Sequence, residues 1–385
     1  MDSNGYKTGA VVCYCCNAPI KDENKSSEHI ILNACGGRLK SDKLLCKDCN
    51  SLFGTRFDSH LAKSTNALAN LLMINRDKGE PRPIRTKNST TKEPYYLALG
   101  GKPIPAKPKI KRYEKDGQKR LDITAHSTEE LEKVLKGLKR KHPNLDIEGA
   151  LKAAKSRKVM DDGSYDIDGS IGGQEVFKSI AKSMINFYIH CNGHPKFVKP
   201  LIPYLLGKDE MDVVWMHYPD QPIFKPDTGE VSHVLKVVGN PKEKILYGYM
   251  ELFNTHCFLV RLNSDYDGED FNADYVYEVL TEKELDKKPE LALTRAELHD
   301  LFQNKEAKPF ENIQKRYARV INIAYRVQEK HQLGIILEEA IEEVLGKIPE
   351  DQPLDAETLK ALNEEVAESV ALFFKSKRLR RSPSS

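Results

Sequence analysis

Cys13-Tyr14-Cys15-Cys16 and Leu44-Leu45-Cys46-Lys47-Asp48-Cys49-Asn50 enclose a segment that reads Ser27-Glu28-His29-Ile30-Ile31 and then Gly36-Gly37; Phe53-Gly54 and Phe57-Asp58 follow close behind. A Cys-x₂-Cys turn presents two thiolates to one tetrahedral ion, so Cys13, Cys16, Cys46 and Cys49 together make a Cys₄ zinc site. Such a site stabilises a short segment with too little core of its own. The 29 residues between Cys16 and Cys46 exceed the commonest zinc-finger spacings, so they must hold more than a finger loop. Cys15 and Cys35 have no partner at good spacing and read as packing residues, with Cys15 in place of Cys13 as the alternative at the ion.

Glu28-His29 ahead of two apolar residues, the Gly36-Gly37 turn and the Cys-x₂-Cys-Asn ending at Asn50 resemble the His-Asn-His (HNH) endonuclease family. The resemblance covers about residues 10–60. It implies a ββα-metal core, two short strands and a helix around one catalytic divalent ion, with a structural zinc site beside it. It also implies DNA as the substrate, double-stranded in the first instance, cut to leave a 5′-phosphate. In that family the acidic residue before the His and the residue after the last Cys hold the ion; Glu28 and Asn50 stand at those places. Two departures are visible. Glu replaces the more usual Asp, and the middle Asn of the family name falls near Ser41 or Asp42. The Ser-Glu-His form, with Phe53-Gly54 and Asp58, looks like a subfamily found in bacterial proteins with long extra domains, and the layout resembles anti-phage defence systems.

The same residues suit the chemistry on physical grounds. Phosphodiester cleavage needs a base near neutral pH and a hard cation to neutralise the leaving oxygen. His29 has an ordinary pKa in that range. Glu28 and Asn50 offer oxygen ligands, which suit Mg²⁺ or Mn²⁺ and not thiolate-bound zinc. Asp58 is a further ligand or a partner of one, the alternative being a surface residue or helix cap. A Cys₄ pattern alone fits equally a non-catalytic zinc ribbon that binds nucleic acid or a regulatory partner. The Glu28-His29 pair and Asn50 directly after Cys49 favour the enzyme.

Around this core, 385 residues allow two or three domains. A hydrophobic fraction of 39%, with no apolar run that would cross a bilayer, describes a globular chain. The polar opening Met1-Asp2-Ser3-Asn4-Gly5 has no signal-peptide core. Eight Cys, half of them in paired knuckles, point to metal binding in a reducing cytoplasm and not to disulfides. A net charge of +3 excludes a histone-like polycation, so any nucleic-acid surface must be local. Three candidates stand out: the segment 102–120, including Lys109, Lys111 and Arg112; Lys315, Arg316 and Arg319 on a long helix; and the basic tail from Lys375 to Arg381. A solvated linker, helix face and tail are the bland alternatives.

The expected architecture is α+β throughout. Residues 1–79 form the HNH core with its zinc knuckle, closed by a helix through Leu61, Leu68, Leu71-Leu72 and Ile74. Residues 80–160 form a small α+β module, and Ser127-Thr128-Glu129-Glu130 opens a helix there as a capping box. In 161–290 a turn at Asp161-Asp162-Gly163 leads to a buried helix after Gln174. Four strand-like runs then follow, at 212–218, 232–238, 244–253 and 256–262, and read as an antiparallel meander. Trp215 reads as core. Residues 291–385 are helical, with breaks expected near Pro309, Leu333 and Asp355. Nothing after residue 160 carries a recognisable motif, so recognition, sensing that gates the nuclease, a homo-oligomer and a defence-system partner all stay open for it.

Overall fold

The computed structural model describes residues 11–115, 117–155, 163–167, 169, 171–304, 310–346 and 355–381. Contacts group the chain into two units, residues 1–81 with 169–325 and residues 82–168 with 326–385. The N-terminal segment and the antiparallel sheet share one unit, because the buried residues of the first close against the helix that packs on the second.

In the first unit, Glu28–His29 and Lys40–Ser41 form a short antiparallel pair with Glu28 opposite Ser41 and His29 opposite Lys40. The Gly36-Gly37 turn between them has a steric cause: a Cβ at Gly37 would run into the Ile31 carbonyl, and Gly36 sits at φ +84°. The helix Lys47–Phe53 follows, then a π-helical turn at Gly54–Asp58, then the helix Ser59–Leu71. Such turns insert a residue into a helix and re-aim side chains; this one ends on Asp58. Of the expected apolar positions, Leu61, Leu68, Leu72 and Ile74 are in the core and Leu71 is half-buried.

Behind this core stands a six-stranded antiparallel sheet in the order Lys283–Glu284, Phe271–Glu278, Ser232–Asn240, Ile245–Leu252, His256–Asn263, Val214–Met216. The three central strands are the meander read from the sequence. The first run instead pairs with the fourth, and Phe271–Glu278, which the sequence reading missed, flanks Ser232–Asn240. Every residue of Ile245–Leu252 is buried because both faces are covered. Successive residues point to opposite faces. On one face a Cβ at Gly248 would meet Met184 of the helix Gln174–His190. On the other, Ile245, Tyr247 and Leu259 pack with Leu298 and Phe302 of the helix Arg295–Asn304, and Trp215 joins them as expected.

The second unit holds a four-stranded antiparallel sheet in the order Pro103–Pro105, Pro94–Leu97, Ile84–Asn88, Tyr165–Asp166, and a separate hairpin of Lys109–Lys115 with Gln118–Thr124. Ser127 caps the helix Thr128–Lys139 by accepting the Glu130 N–H at 3.2 Å. The expected turn at Asp161-Asp162 and the break near Pro309 lie outside the described residues. The break at Leu333 is absent. Phe310–Leu345 runs as one helix through Gly334, since a single interior glycine costs only about 1 kcal/mol.

His233 ties the sheet to the N-terminal core. It is fully buried; its Nε2–H donates to the Cys35 carbonyl at 2.9 Å, and its Nδ1 accepts the Phe253 N–H at 3.1 Å. Both partners are satisfied by one neutral tautomer, and a second ring proton would face a donor. Burial accordingly pushes its pKa down to about 4. Between about pH 6.5 and 4 the unfolded chain takes up a proton that the folded chain refuses. Stability is therefore full above about pH 6.5 and falls as the pH drops toward 4, by up to about 3 kcal/mol. Urea midpoints should decline from pH 7 to 5 in the wild type and more shallowly in His233→Gln; a wild-type midpoint that stays constant over that range contradicts this role.

Candidate active site and zinc centre

The candidate zinc centre is built from the two knuckles. Cys13 receives the Asn17 N–H on its carbonyl and donates its own N–H to Ala18, which closes the first turn. The second begins the helix Lys47–Phe53, so Cys46 and Cys49 lie one turn apart. The four sulfurs lie within 4.8 Å of one another. A tetrahedral ion with bonds of about 2.3 Å sets sulfurs about 3.8 Å apart, and Cys16 Sγ lies 3.7 Å from Cys46 Sγ. Burial, and then the adjacent Cys13, push the Cys49 thiol up, a cost that a central cation removes. The donor set fits zinc. Cys15 lies outside this group, and Cys35 is buried with its Sγ 3.2 Å from Thr65 Oγ1.

Beside the zinc centre, a cavity of about 310 Å³ is lined by Glu28, His29, Asn50, Asp58 and Lys182 among others. The four site residues named from sequence thus come together, and a fifth joins them. Asn50 follows Cys49 in the same helix, so the zinc knuckle fixes its place. Its amide donates to Ser26 Oγ at 2.6 Å, which leaves Oδ1 as the ligand atom. Glu28 is 4% exposed. Its Oε1 meets Lys182 Nζ at 2.5 Å and the Asn186 amide at 3.2 Å, so Oε2 is the atom it can offer to an ion. Burial pushes Glu28 up from the ordinary carboxylate value, and Lys182 pulls it back. One charged and one neutral oxygen donor, beside a cavity with room for water, fit a hard divalent ion.

Asp58 has a different task. Its Oδ1 accepts Ser179 Oγ–H at 2.6 Å and its Oδ2 meets Lys182 Nζ at 2.5 Å. Both oxygens are turned to the helix Gln174–His190, so Asp58 anchors that helix while still lining the cavity. Lys182 is wholly buried between the two carboxylates. Burial opposes its charge, but Asp58 and then Glu28 outweigh it and hold the ammonium above its ordinary value.

His29, the next residue of the strand, lines the same cavity and is bonded on its surface side. Its Nε2 lies 3.1 Å from Asp77 Oδ2, and Asp77 also pairs with Arg38 and Lys40. Lys40, and then His29, hold the Asp77 carboxyl down at about 2. Burial pushes His29 itself below its ordinary value, against the Asp77 hydrogen bond. Ser41 lies opposite Glu28, with its Oγ taking the Lys43 N–H at 3.3 Å, and Asp42 is exposed; neither lines the cavity.

The sequence reading missed Lys182 and Asp77. A lysine and three polar residues, Ser179, Ser183 and Asn186, on one stripe of an otherwise buried helix were the available signal for the first. Asp77 lies in the segment after Leu72 and has no local motif. Two basic candidates are corrected. Arg316 pairs with the buried Glu251 at 3.1 Å, and Arg319 donates to the backbone carbonyls of Asp227 and Glu230; both hold their helix to the sheet, so neither is free for phosphate. Lys315 is exposed. In the second unit Lys109 pairs with Glu93 at 2.8 Å, and Lys111 and Arg112 are exposed. Of the basic tail, only the Lys375 side chain is among the described residues.

Two short strands and a helix, with a Cys₄ cluster and an oxygen-lined cavity, define a ββα-metal class of site. Residues 13–66 match the family described as HNH endonuclease, so the chain carries an N-terminal HNH domain. No curated protein and no solved structure gives a significant match. For the zinc centre, elemental analysis should find one zinc per chain, and Cys46→Ala should lose zinc and solubility together. Wild-type protein that is folded and free of zinc contradicts the assignment.

Proposed function

We propose that the protein is a metal-dependent endonuclease that hydrolyses phosphodiester bonds in DNA. The observation that supports it is the convergence of Glu28, His29 and Asn50 on one cavity beside the cysteine cluster. An ionised carboxylate only accepts hydrogen bonds, so the Asp77 contact requires the proton on His29 Nε2 and leaves Nδ1 as the basic nitrogen. A histidine held below its ordinary value is neutral at pH 7 and can take a proton from water as that water attacks phosphorus. Glu28 Oε2 and Asn50 Oδ1 would hold Mg²⁺ or Mn²⁺. When bound, such an ion neutralises charge on the departing 3′-oxygen. Lys40, opposite His29 in the register, pairs with Asp77 and so helps to fix the carboxylate that holds the ring.

Duplex DNA as substrate, a cytoplasmic setting inferred from the cysteine usage, and a role in anti-phage defence belong to the same proposal and rest on the resemblance. Among the described residues no helix is long and apolar enough to cross a membrane. The exposed Lys109, Lys111, Arg112 and Lys315 are the remaining candidates for backbone contacts to DNA, which position a duplex without reading its sequence.

Purified protein should nick or linearise plasmid when Mg²⁺ or Mn²⁺ is supplied. His29→Ala should reduce cleavage by at least about a hundredfold, the lower end of a general base's contribution, with zinc content unchanged. Asp77→Asn should cost less, because it removes only the group that sets the ring's tautomer. Cleavage by His29→Ala at the wild-type rate would sink the assignment of the base.

A further inference from the structure

The helix Gln174–His190 lies more than a hundred residues beyond the end of the HNH segment, yet it supplies one wall of the cavity. Ser179, Lys182 and Asn186 are spaced to share a helix face, and all three are fully buried. Each bonds a carboxylate of the HNH segment: Ser179 to Asp58, Asn186 to Glu28, and Lys182 to both at 2.5 Å. A lysine with no exposed surface is costly to desolvate and seldom placed without a use for its charge. Pairs of carboxylates that face one another across a few ångströms are the usual cradle for two divalent ions in phosphodiester-cleaving sites. Here an ammonium occupies the space between them.

We propose that Lys182 is the resident cation of this pocket: it fills what would otherwise be a second cation position between Glu28 and Asp58, limits the pocket to one divalent ion, and makes the loaded pocket positive toward a phosphodiester. The charge count carries the idea and rests on the nuclease reading above. Glu28, Asp58 and Lys182 sum to one negative charge. Next to them Asp77 and Glu282 cancel Arg38 and Lys40. One divalent ion turns the sum to one positive charge, which a single phosphodiester neutralises. Without Lys182 the ion would be held by two free carboxylates, and the loaded pocket would have no net charge with which to attract phosphate. Lys182 touches the two carboxylates and not the reacting atoms, so it is a positioning residue.

The test is made on the full zinc-loaded chain, with Mn²⁺ alone as the binding probe, followed by titration calorimetry and by the spectral loss of free Mn²⁺, and with plasmid cleavage measured separately. Lys182→Met should tighten Mn²⁺ binding by at least about tenfold, because a nearby like charge is gone, while kcat falls by about a hundredfold or more. Lys182→Arg should keep the wild-type Mn²⁺ affinity within a few-fold and recover part of the turnover. A merely structural lysine would lower metal binding, turnover and stability together. Should Lys182→Met not fold, the double variant Lys182→Met with Asp58→Asn removes the ion pair as a unit, leaves the pocket charge unchanged and should bind Mn²⁺ within about threefold of the wild type. Mn²⁺ affinity unchanged or weakened in Lys182→Met, or weakened by about tenfold or more in the double variant, in a background where wild-type protein cleaves, overturns the proposal and leaves the nuclease reading standing. Wild-type protein that cleaves nothing overturns the nuclease reading and this proposal with it.

Discussion

The fold around the site depends on one buried charge. Lys182 is held by two carboxylates that come from opposite ends of the HNH core, Glu28 in the first strand and Asp58 at the end of the π-helical turn. Removing one member of such a pair strands the other in a low-dielectric interior, at a cost of about 3–5 kcal/mol. Few single contacts approach that figure, and a domain's whole margin is only about 5–15 kcal/mol. The HNH segment and the sheet are therefore packed as one unit. Tyr14, whose hydroxyl donates to Asn186 at 2.8 Å, and His233, on the Cys35 carbonyl, make the same junction from other sides.

The strand Glu28–His29 then divides the chemistry. Its two residues both line the cavity but take different partners. Glu28 goes inward to Lys182 and Asn186, and His29 goes outward to Asp77. The cysteine cluster fixes the third member, because Asn50 is one residue past Cys49 in the helix that the second knuckle starts. Three constraints of different kinds, an ion pair on Glu28, a hydrogen bond from His29 to Asp77 and a metal knuckle before Asn50, converge on one cavity. Each limits the motion of one functional side chain, which is what a site that works by positioning requires.

What was legible in the sequence was local. The cysteine spacing, the Glu28-His29 pair and Asn50 carry their meaning within a few residues, and the structure brings them together. The glycine turn was legible for the same reason, since its cause is a clash with Ile31 only six residues back. Lys182 was not, because its partner Asp58 lies 124 residues away and nothing in the intervening chain marks the meeting. Arg316 and Arg319 were read as an outward face because helical spacing alone does not say which side faces water; the buried Glu251 decides it. The strand Phe271–Glu278 was hidden by its polar start, Phe271-Asn272-Ala273-Asp274, whose turn-favouring residues are overridden by pairing with the central strand Ser232–Asn240 along its whole length.

The most direct test of this account is the position of metal in crystals of the full chain soaked in Mn²⁺, with anomalous scattering used to tell the two elements apart. The account predicts zinc at the centre of Cys13, Cys16, Cys46 and Cys49, and one manganese coordinated by Glu28 and Asn50 with Lys182 still seated between Glu28 and Asp58. Manganese lodged between Glu28 and Asp58 with Lys182 displaced, or none in the cavity of a protein that cuts DNA, would contradict it.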